Sequence, residues 1–169
     1  VEDDRIRSYR FAIVGKESVT TPAGTFETVR VERQIKLAHI VKASDDDLAW
    51  LYPDRSPVDT ARLWAGAGHH VIMTRGADGA TLFTPTGDTV SVKAPVIELV
   101  DTVGAGDSFL GATLYGLQQR GALGGNAEEL LARVTLDEWI DLLTLAAEVG
   151  AITCSRAGCN PPTLAELGL

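Results

Sequence analysis

The first part of the chain alternates apolar and polar positions as a half-buried β-strand does. Alternation runs from Tyr9 to Ile13 and again from Phe26 to Arg33. Between the two runs, Pro22 can set φ at the second position of a turn and Gly24 can adopt the positive φ that closes it. This pattern predicts that residues 1–37 form a segment built around a β-hairpin.

From residue 38 onward, short apolar runs alternate with helix signals. The runs that predict strands cover residues 38–43, 70–74, 80–83, 88–92 and 96–100, with a hairpin between the third and the fourth. Strands that alternate with helices are typical of an α/β fold. We therefore expect residues 38–169 to form a doubly wound, mainly parallel sheet with helices on its faces.

Local capping patterns mark where the helices begin. Ser44 with Asp47, and Thr135 with Glu138, have the spacing of a capping box, and Pro57 suits the first position of a helix. The predicted helices follow Ser44, run from Pro57 to about Gly66, from Asp107 to Arg120 with Leu110, Leu114 and Leu117 on one face, and from Thr135 to Ile152.

Composition narrows the classes of function. The chain has 169 residues, of which 45% are hydrophobic and 22% charged, as expected for one globular domain with a core. Its formal net charge of −8 argues against a nucleic-acid-binding surface, and no apolar stretch is long enough to span a membrane.

The N-terminus, Val1 to Asp4, is acidic where a secretory signal would be basic, so we expect a cytoplasmic location. Met73 is the only methionine, which indicates a processed chain or a piece of a longer one.

The two cysteines, Cys154 and Cys159, do not form a disulfide framework. A zinc site would need two further ligands, and the three histidines lie far away in the sequence. We expect reduced thiols.

A glycine-rich loop carries the candidate chemistry. Gly104 and Gly106 flank Ala105 between the predicted strand 96–100 and a predicted helix. Glycines let successive amides turn toward one point, and a helix N-terminus attracts anions, so a phosphate would fit there. Asp107 follows directly and places a carboxylate beside this anion site. The alternative is that Asp107 only stabilises the helix dipole, by about 0.3–1 kcal/mol, and that the glycines serve a tight turn.

Three segments occur together in a characteristic order. They are Val71–Ala80, the sequence Asp-Thr-Val-Gly-Ala-Gly-Asp at 101–107, and Ala151–Pro162. In this order they resemble the C-terminal half of the ribokinase-like (pfkB) carbohydrate kinases, the bacterial fructokinases above all. The resemblance runs from residue 38 to the end and does not include residues 1–37.

The resemblance implies phosphoryl transfer from ATP to a sugar hydroxyl. It assigns Asp107 as the base and the amides of Gly104, Ala105 and Gly106 as the anion hole. It assigns Thr74, Gly76, Asp78 and Gly79 to the nucleotide, and Cys154 to Asn160, including Gly158, to the purine pocket. Asp101 and the carbonyl of Val103 match positions that hold a monovalent cation such as K⁺ in relatives.

The magnesium position departs from the family pattern. Relatives usually carry Asn-x-x-Glu on the strand-to-helix turn that organises Mg²⁺ through water, and Ser44 and Asp47 stand at the matching positions here. Ser and Asp keep oxygen ligands but shorten their reach. A helix cap explains both residues equally well. Arg75 and Arg156 could likewise neutralise phosphate charge or be solvated turn residues.

The sugar-binding half of the family lies N-terminal to the matched part, and residues 1–37 hold no counterpart of it. Three hypotheses follow. The chain is a fructokinase-like sugar kinase that works with a partner chain or a second copy, a non-catalytic ATP- or anion-binding remnant, or a protein-interaction module that uses the hairpin and an exposed sheet edge. Which sugar is bound is not encoded in these residues.

Overall fold

The computed structural model describes residues 10–21, 24–34, 39–124 and 126–169. The chain divides into two compact units, Val1–Ala38 and His39–Leu169. Each unit is described by itself below.

The first unit contains the expected hairpin. Strand β1 (Arg10–Thr21) pairs antiparallel with strand β2 (Gly24–Gln34), from Arg10 opposite Gln34 to Thr21 opposite Gly24. The register shifts between Ile13 and Gly15, which is the mark of a β-bulge. The predicted hairpin is confirmed, whereas Tyr9 and Pro22 lie outside the described residues.

The second unit is built on a four-stranded sheet. Its strands are β3 (Ile40–Ser44), β4 (His70–Thr74), β5 (Ala80–Phe83) and β6 (Thr89–Val92), and they lie in that order. Only β3 and β4 are parallel, and the other two pairs are antiparallel. The α/β fold is confirmed, but among the described strands the sheet is mixed rather than mainly parallel. The physical reason is loop length, because residues 75–79 and 84–88 are too few to form a crossover connection.

Five α-helices accompany this sheet in the described part of the chain, together with one short 3₁₀-helix, Gly76–Asp78. They are α1 (Asp45–Leu51), α2 (Pro57–Gly66), α3 (Ala105–Gln119), α4 (Ala127–Leu131) and α5 (Leu136–Cys154). The oxygens of Ser44, Ser56 and Thr135 accept amide hydrogen bonds at the N-termini of α1, α2 and α5. None of the helices in the part of the chain that the structure describes has the length and apolarity needed to cross a membrane.

The helices cover both faces of the sheet. Ile72 and Leu82 point to one face and pack with Leu117 of α3 and Trp139 of α5 in a cluster that we call the α3–α5 core. Val71, Met73 and Ala43 point to the other face and pack with α1 and α2 in the α1–α2 core. Because successive residues of a strand face opposite sides, β4 supplies both cores.

Residues 96–100 do not form the predicted strand. Val96, Leu99 and Val100 are exposed, by 102%, 64% and 55%, and they pair with none of the described strands. The amides of Val100 and Asp101 instead donate to the carbonyl oxygen of Cys154, at 2.9 and 3.1 Å. An apolar segment becomes a β-strand only when a neighbouring strand pairs with its backbone amides and carbonyls. Here the carbonyl at the C-terminal end of α5 accepts the two amide hydrogen bonds instead.

Candidate functional site

The glycine loop begins with a residue in the left-handed conformation. Gly104 has φ 78° and ψ −1°, and it stands directly before α3 without a side chain to cap the helix. A Cβ atom at Gly104 would collide with the Sγ of Cys159 and lie 2.9 Å from its Cβ. Glycine is therefore required at this position for two independent reasons, backbone conformation and space.

Amides at the start of α3 remain available for a ligand. The amide of Ala105 donates to the carbonyl of Thr102 at 3.3 Å, whereas those of Gly106 and Asp107 have no hydrogen-bond acceptor among the described residues. The first turn of a helix carries a partial positive charge of about +0.5. Of the three residues assigned to the anion hole, Ala105 thus uses its amide in a turn. The free amides at the start of the helix are those of Gly106 and Asp107.

Asp107 lies in the first turn of α3 and is exposed. Its carboxylate makes no hydrogen bond or salt bridge within residues 10–21, 24–34, 39–124 and 126–169. Each carboxylate oxygen of Asp101, by contrast, accepts one amide hydrogen bond. An unengaged carboxylate beside free amides has the arrangement needed to accept a proton from a hydroxyl group held at the same point.

Asp101 ties the glycine loop to the C-terminal segment. Its Oδ1 accepts the amide of Val103 and its Oδ2 accepts the amide of Gly158, each at 3.0 Å. These two hydrogen bonds, the one from Val103 first, lower the pKa of the Asp101 carboxyl below its ordinary value of 3.8. The loop 101–107 and the segment 154–160, which the resemblance assigns to one site, are thus in contact, and their roles in binding stay predictions.

Within that segment, Cys159 contacts Gly104, and the carbonyl of Cys154 accepts the amides of Val100 and Asp101. Cys154 is half-buried, and burial followed by the nearby charge of Asp101 raises the pKa of its thiol. Gly158 and Asn160 are exposed. Both cysteines are free thiols. The resemblance assigned the segment Cys154 to Asn160 to the purine pocket, and within that segment the fold places Cys159 against Gly104.

Ser44 and Thr74 lie next to each other at the carboxyl ends of the parallel pair β3 and β4. In open α/β sheets ligands bind at such ends. Ser44 also forms a capping box, in which its Oγ accepts the Asp47 amide at 3.0 Å and Asp47 Oδ2 accepts the Ser44 amide at 2.9 Å. The bonds from the Ser44 side chain and then its backbone lower the pKa of Asp47 below 3.8.

Ser44 and Asp47 therefore form the helix cap that was the alternative to magnesium binding. A role in binding Mg²⁺ stays a prediction, and the second oxygen of Asp47, Oδ1, has no hydrogen-bond partner in the described part of the chain. Among the described residues, no group of three or more His, Cys, Asp or Glu side chains is arranged to hold a metal ion by itself.

The residues of the turn after β4 that were predicted to bind the nucleotide differ in their exposure. Gly76 and Asp78 are exposed, whereas Gly79 is buried with φ 89°. A Cβ at Gly79 would strike the carbonyl oxygen of Val92 and lie 2.8 Å from the Cα of Lys93. Gly79 therefore serves close approach of two backbone segments and offers no surface to a ligand.

The two arginines near the predicted site differ. Arg156 forms a 2.7 Å salt bridge with Glu166, so its charge is already paired. The Nε of Arg75, directly after β4, is buried and has no hydrogen-bond partner in the structure. Arg75 is thus not a fully solvated turn residue.

Lys42 belongs to the site and was missed in the sequence. Its Nζ lies 2.6 Å from the position that a Cβ of Gly106 would occupy. The available signal was a single lysine inside the apolar run of residues 38–43. Lys42 is half-buried on the edge strand β3, where Ala43 is the buried residue.

Comparison with known proteins identifies the family. The sequence model of the pfkB family carbohydrate kinases matches residues 16–166. A fructokinase from Rhizobium leguminosarum bv. trifolii is 37% identical over 90 residues, which are 53% of this chain and 27% of that protein. The chain therefore belongs to the pfkB family of carbohydrate kinases. The match begins at residue 16, so it includes part of the segment that we expected to lie outside the family.

Solved structures agree with this assignment. Aminoimidazole riboside kinase from Salmonella enterica, in complex with its riboside and an ATP analogue, superimposes with a TM-score of 0.58 and 29% identity over 72% of this chain and 37% of that chain. A double mutant of Vibrio cholerae fructokinase bound to fructose, ADP and potassium gives a TM-score of 0.57 and 26% identity over 72% of this chain and 36% of that chain. The ribokinase-like fold is thus confirmed, and the chain spans well under half the length of these relatives.

Proposed function

We propose that this chain binds the phosphates of ATP at the N-terminus of α3 and takes part in transferring the γ-phosphoryl group to a sugar hydroxyl. One observation carries the proposal. The amides of Gly106 and Asp107 and the exposed carboxylate of Asp107 have no partners among the described residues, and they stand together at a helix N-terminus.

In the proposed step, the hydroxyl oxygen of the sugar forms a bond to the γ-phosphorus while the bond from that phosphorus to the β,γ-bridging oxygen breaks. The hydroxyl proton passes to the carboxylate of Asp107, and ADP leaves. Phosphoryl transfer passes through a loose transition state, so positioning and charge stabilisation provide most of the catalysis. The α3 amides are fixed in advance and need no reorganisation at that moment.

The residues around this point can supply the remaining ligands. Thr74, Gly76 and Asp78 lie at or directly after the end of β4 and are accessible for the nucleotide. The free Oδ1 of Asp47 suits a magnesium ion that is otherwise held by water and phosphate, as is common for this metal. Mg²⁺ would neutralise phosphate charge. The Asp101 side chain and the Val103 carbonyl are the oxygens proposed for a potassium ion.

The acceptor is proposed to be a fructose-like sugar, because the relatives that match include fructokinases. The chain covers 27% of the matched fructokinase, so we propose that residues outside these 169 complete the sugar site.

The proposal is tested first by binding and then by turnover. Thermal unfolding is followed with rising ATP in the presence of Mg²⁺, since a ligand at 100 times its Kd should add about 2.7 kcal/mol to stability. A coupled assay that detects ADP is then run with fructose. Asp107→Asn should lower the transfer rate by at least about 10²-fold, because a general base contributes about 10²–10⁴-fold, and ATP binding should survive.

A matched control isolates the base from the helix dipole. Asp137 lies in the first turn of α5 and is exposed like Asp107. Asp137→Asn removes the same kind of first-turn charge and should leave the transfer rate unchanged. A near-parental rate for Asp107→Asn would show that the base is assigned wrongly.

The exposed apolar residues between β6 and the glycine loop favour a second candidate, a protein-interaction module. Val96, Leu99, Val100 and Val103 are all at least half exposed, by 102%, 64%, 55% and 58%, and exposed apolar surface of this kind often marks an interface. No thermal shift with ATP would support this candidate. A shift without turnover would support a nucleotide-binding remnant.

A further inference from the structure

A cavity lies at the opposite end of β4 from the glycine loop. Its volume is about 390 Å³, which is within the range of small-molecule sites. His70, the first residue of β4, lines this cavity, whereas Thr74, the last residue, lies at the carboxyl ends of the parallel pair. A strand rises about 3.3 Å per residue, so these two residues are about 13 Å apart along β4. The cavity is therefore separate from the proposed ATP site.

Apolar side chains form one wall of the cavity. Leu131 ends α4, Val134 lies in the connection to α5, and Leu136 is the first residue of α5. Two buried rings also line it, because His70 stacks on Trp139 with ring centroids 5.5 Å apart and an angle of 23° between the ring planes. Such a wall favours a ligand with an apolar or aromatic group, since contact removes apolar surface from water.

Two carboxylates face the same cavity. Asp88 lies in the turn between β5 and β6, and Glu128 lies in the first turn of α4. The Oδ2 of Asp88 accepts the hydroxyl of Thr86 at 2.7 Å. Its Oδ1 and the carboxylate of Glu128 have no hydrogen-bond or salt-bridge partner within residues 39–124 and 126–169. Both residues can therefore accept hydrogen bonds from a bound molecule.

Positive charge does not balance these carboxylates. Among the described residues that line the cavity there is no lysine or arginine. Burial lowers the pKa of the His70 imidazole below its ordinary value of 6.5, although the backbone of His39 opposes this shift. The His70 ring is therefore uncharged at neutral pH, and the described lining has an excess of negative charge.

We propose that this cavity binds a small organic cation, namely a protonated amine that carries an apolar or aromatic group. The apolar group packs on the wall of Leu131, Val134 and Leu136, and the ammonium group donates to Asp88 and Glu128. An ammonium group has donors and no acceptor, which suits carboxylates that can only accept. The alternative is a cleft filled by water, whose carboxylates serve only to hydrate the surface.

The test compares three ligands that differ mainly in charge: phenethylamine, phenethyl alcohol and phenylacetate. Binding to the 169-residue chain, without ATP, is followed by proton–nitrogen correlation NMR of the indole groups. Trp139 lines the cavity, whereas Trp64 packs in the α1–α2 core and Trp50 is exposed on α1. The amine should shift the Trp139 signal alone, the alcohol should bind more weakly, and phenylacetate should not bind. Equal affinities for amine and alcohol, or no shift of Trp139 with the amine, would overturn the proposal.

Adjacent residues of α4 provide a matched pair of variants. Glu128 and Glu129 are both exposed in its first turn, and of the two only Glu128 lines the cavity. Glu128→Gln should weaken amine binding by about two- to fivefold, as is usual for exposed ion pairs, and adding Asp88→Asn should cause a further loss of similar size. Glu129→Gln should leave the affinity unchanged. Equal losses in the two glutamate variants would show an effect of net charge alone and contradict the proposed contact.

Filling the cavity tests the apolar contact separately. Ala132 lines the cavity and is exposed, so Ala132→Phe adds a ring there without replacing a core residue. It should abolish amine binding, whereas Ala165→Phe, at an exposed position that does not line the cavity, should leave it unchanged. Full amine affinity in a folded Ala132→Phe variant would show that the amine binds elsewhere. Amine binding requires no nucleotide, so either result leaves the proposed function standing.

Discussion

Replacing Gly104 by alanine should destabilise the protein through two separable effects. The first is backbone strain, because an L-residue held in the left-handed region at φ 78° costs about 1–2 kcal/mol. The second is overpacking against Cys159, whose Sγ and Cβ occupy the space of the new methyl group. Overpacking typically costs about 1–3 kcal/mol, so the sum for Gly104→Ala is about 2–5 kcal/mol.

The other end of α3 provides a control for the first effect. Gly121 has φ 64°, and a Cβ there would meet nothing within 4 Å. Gly121→Ala should therefore cost only the strain of about 1–2 kcal/mol. The difference between the two variants measures the contact with Cys159.

A double-mutant cycle tests that contact directly. Cys159→Gly removes both colliding atoms and leaves the Cα of residue 159, at 3.4 Å, as the next neighbour. Urea unfolding followed by tryptophan fluorescence gives each free energy of unfolding, since Trp139 is only 1% exposed in the folded state. The pair Gly104→Ala and Cys159→Gly should show a coupling energy of about 1–3 kcal/mol. Additive effects, within about 0.5 kcal/mol, would refute the packing of residues 154–160 on the glycine loop.

Two further predictions concern α3 and the loop before it. Gly111 is exposed with open space around it, so Gly111→Ala should stabilise the protein by up to about 1 kcal/mol through helix propensity. Gly116→Ala in the same helix should destabilise it, because the new methyl group would strike the buried Cδ2 of Leu142. Urea unfolding of both variants checks that the two changes in stability have opposite signs. The Asp101 carboxyl should titrate below pH 3.8 by NMR, so its contribution to stability is present above that pH and is lost as the pH falls through the lowered pKa; a value at or above 3.8 would contradict the two amide hydrogen bonds.

The sequence alone was sufficient where an element depends on near neighbours. The capping boxes at Ser44 and Thr135 join residues three positions apart, so their spacing is visible before any fold is known. The order of β1 to β6 and of the helices other than α4 was also predicted, as was the loop at 101–107, because turn chemistry and glycine conformation are local properties. The predicted strand 96–100 is absent.

Burial along α3 was predicted only in part. The leucine face proposed from spacing contains Leu117, which is buried, and Leu114, which is 39% exposed. The structure buries Phe109 and Gly116 instead. Which face of a helix is covered depends on the partner helix, here α5 with Leu142 closest to Gly116, and that partner lies far away in the sequence.

Tertiary structure alone decided the remaining features of the site. The apolar run 96–100 lies outside the described sheet, and its last amide, that of Val100, donates to the carbonyl of Cys154 at the end of α5. The contacts of Lys42 with Gly106 and of Cys159 with Gly104 join residues that are more than fifty positions apart. Local sequence specifies which conformations a segment can adopt, whereas hydrogen-bond partners, space and charge at a given point are supplied by distant segments that meet only when the chain folds.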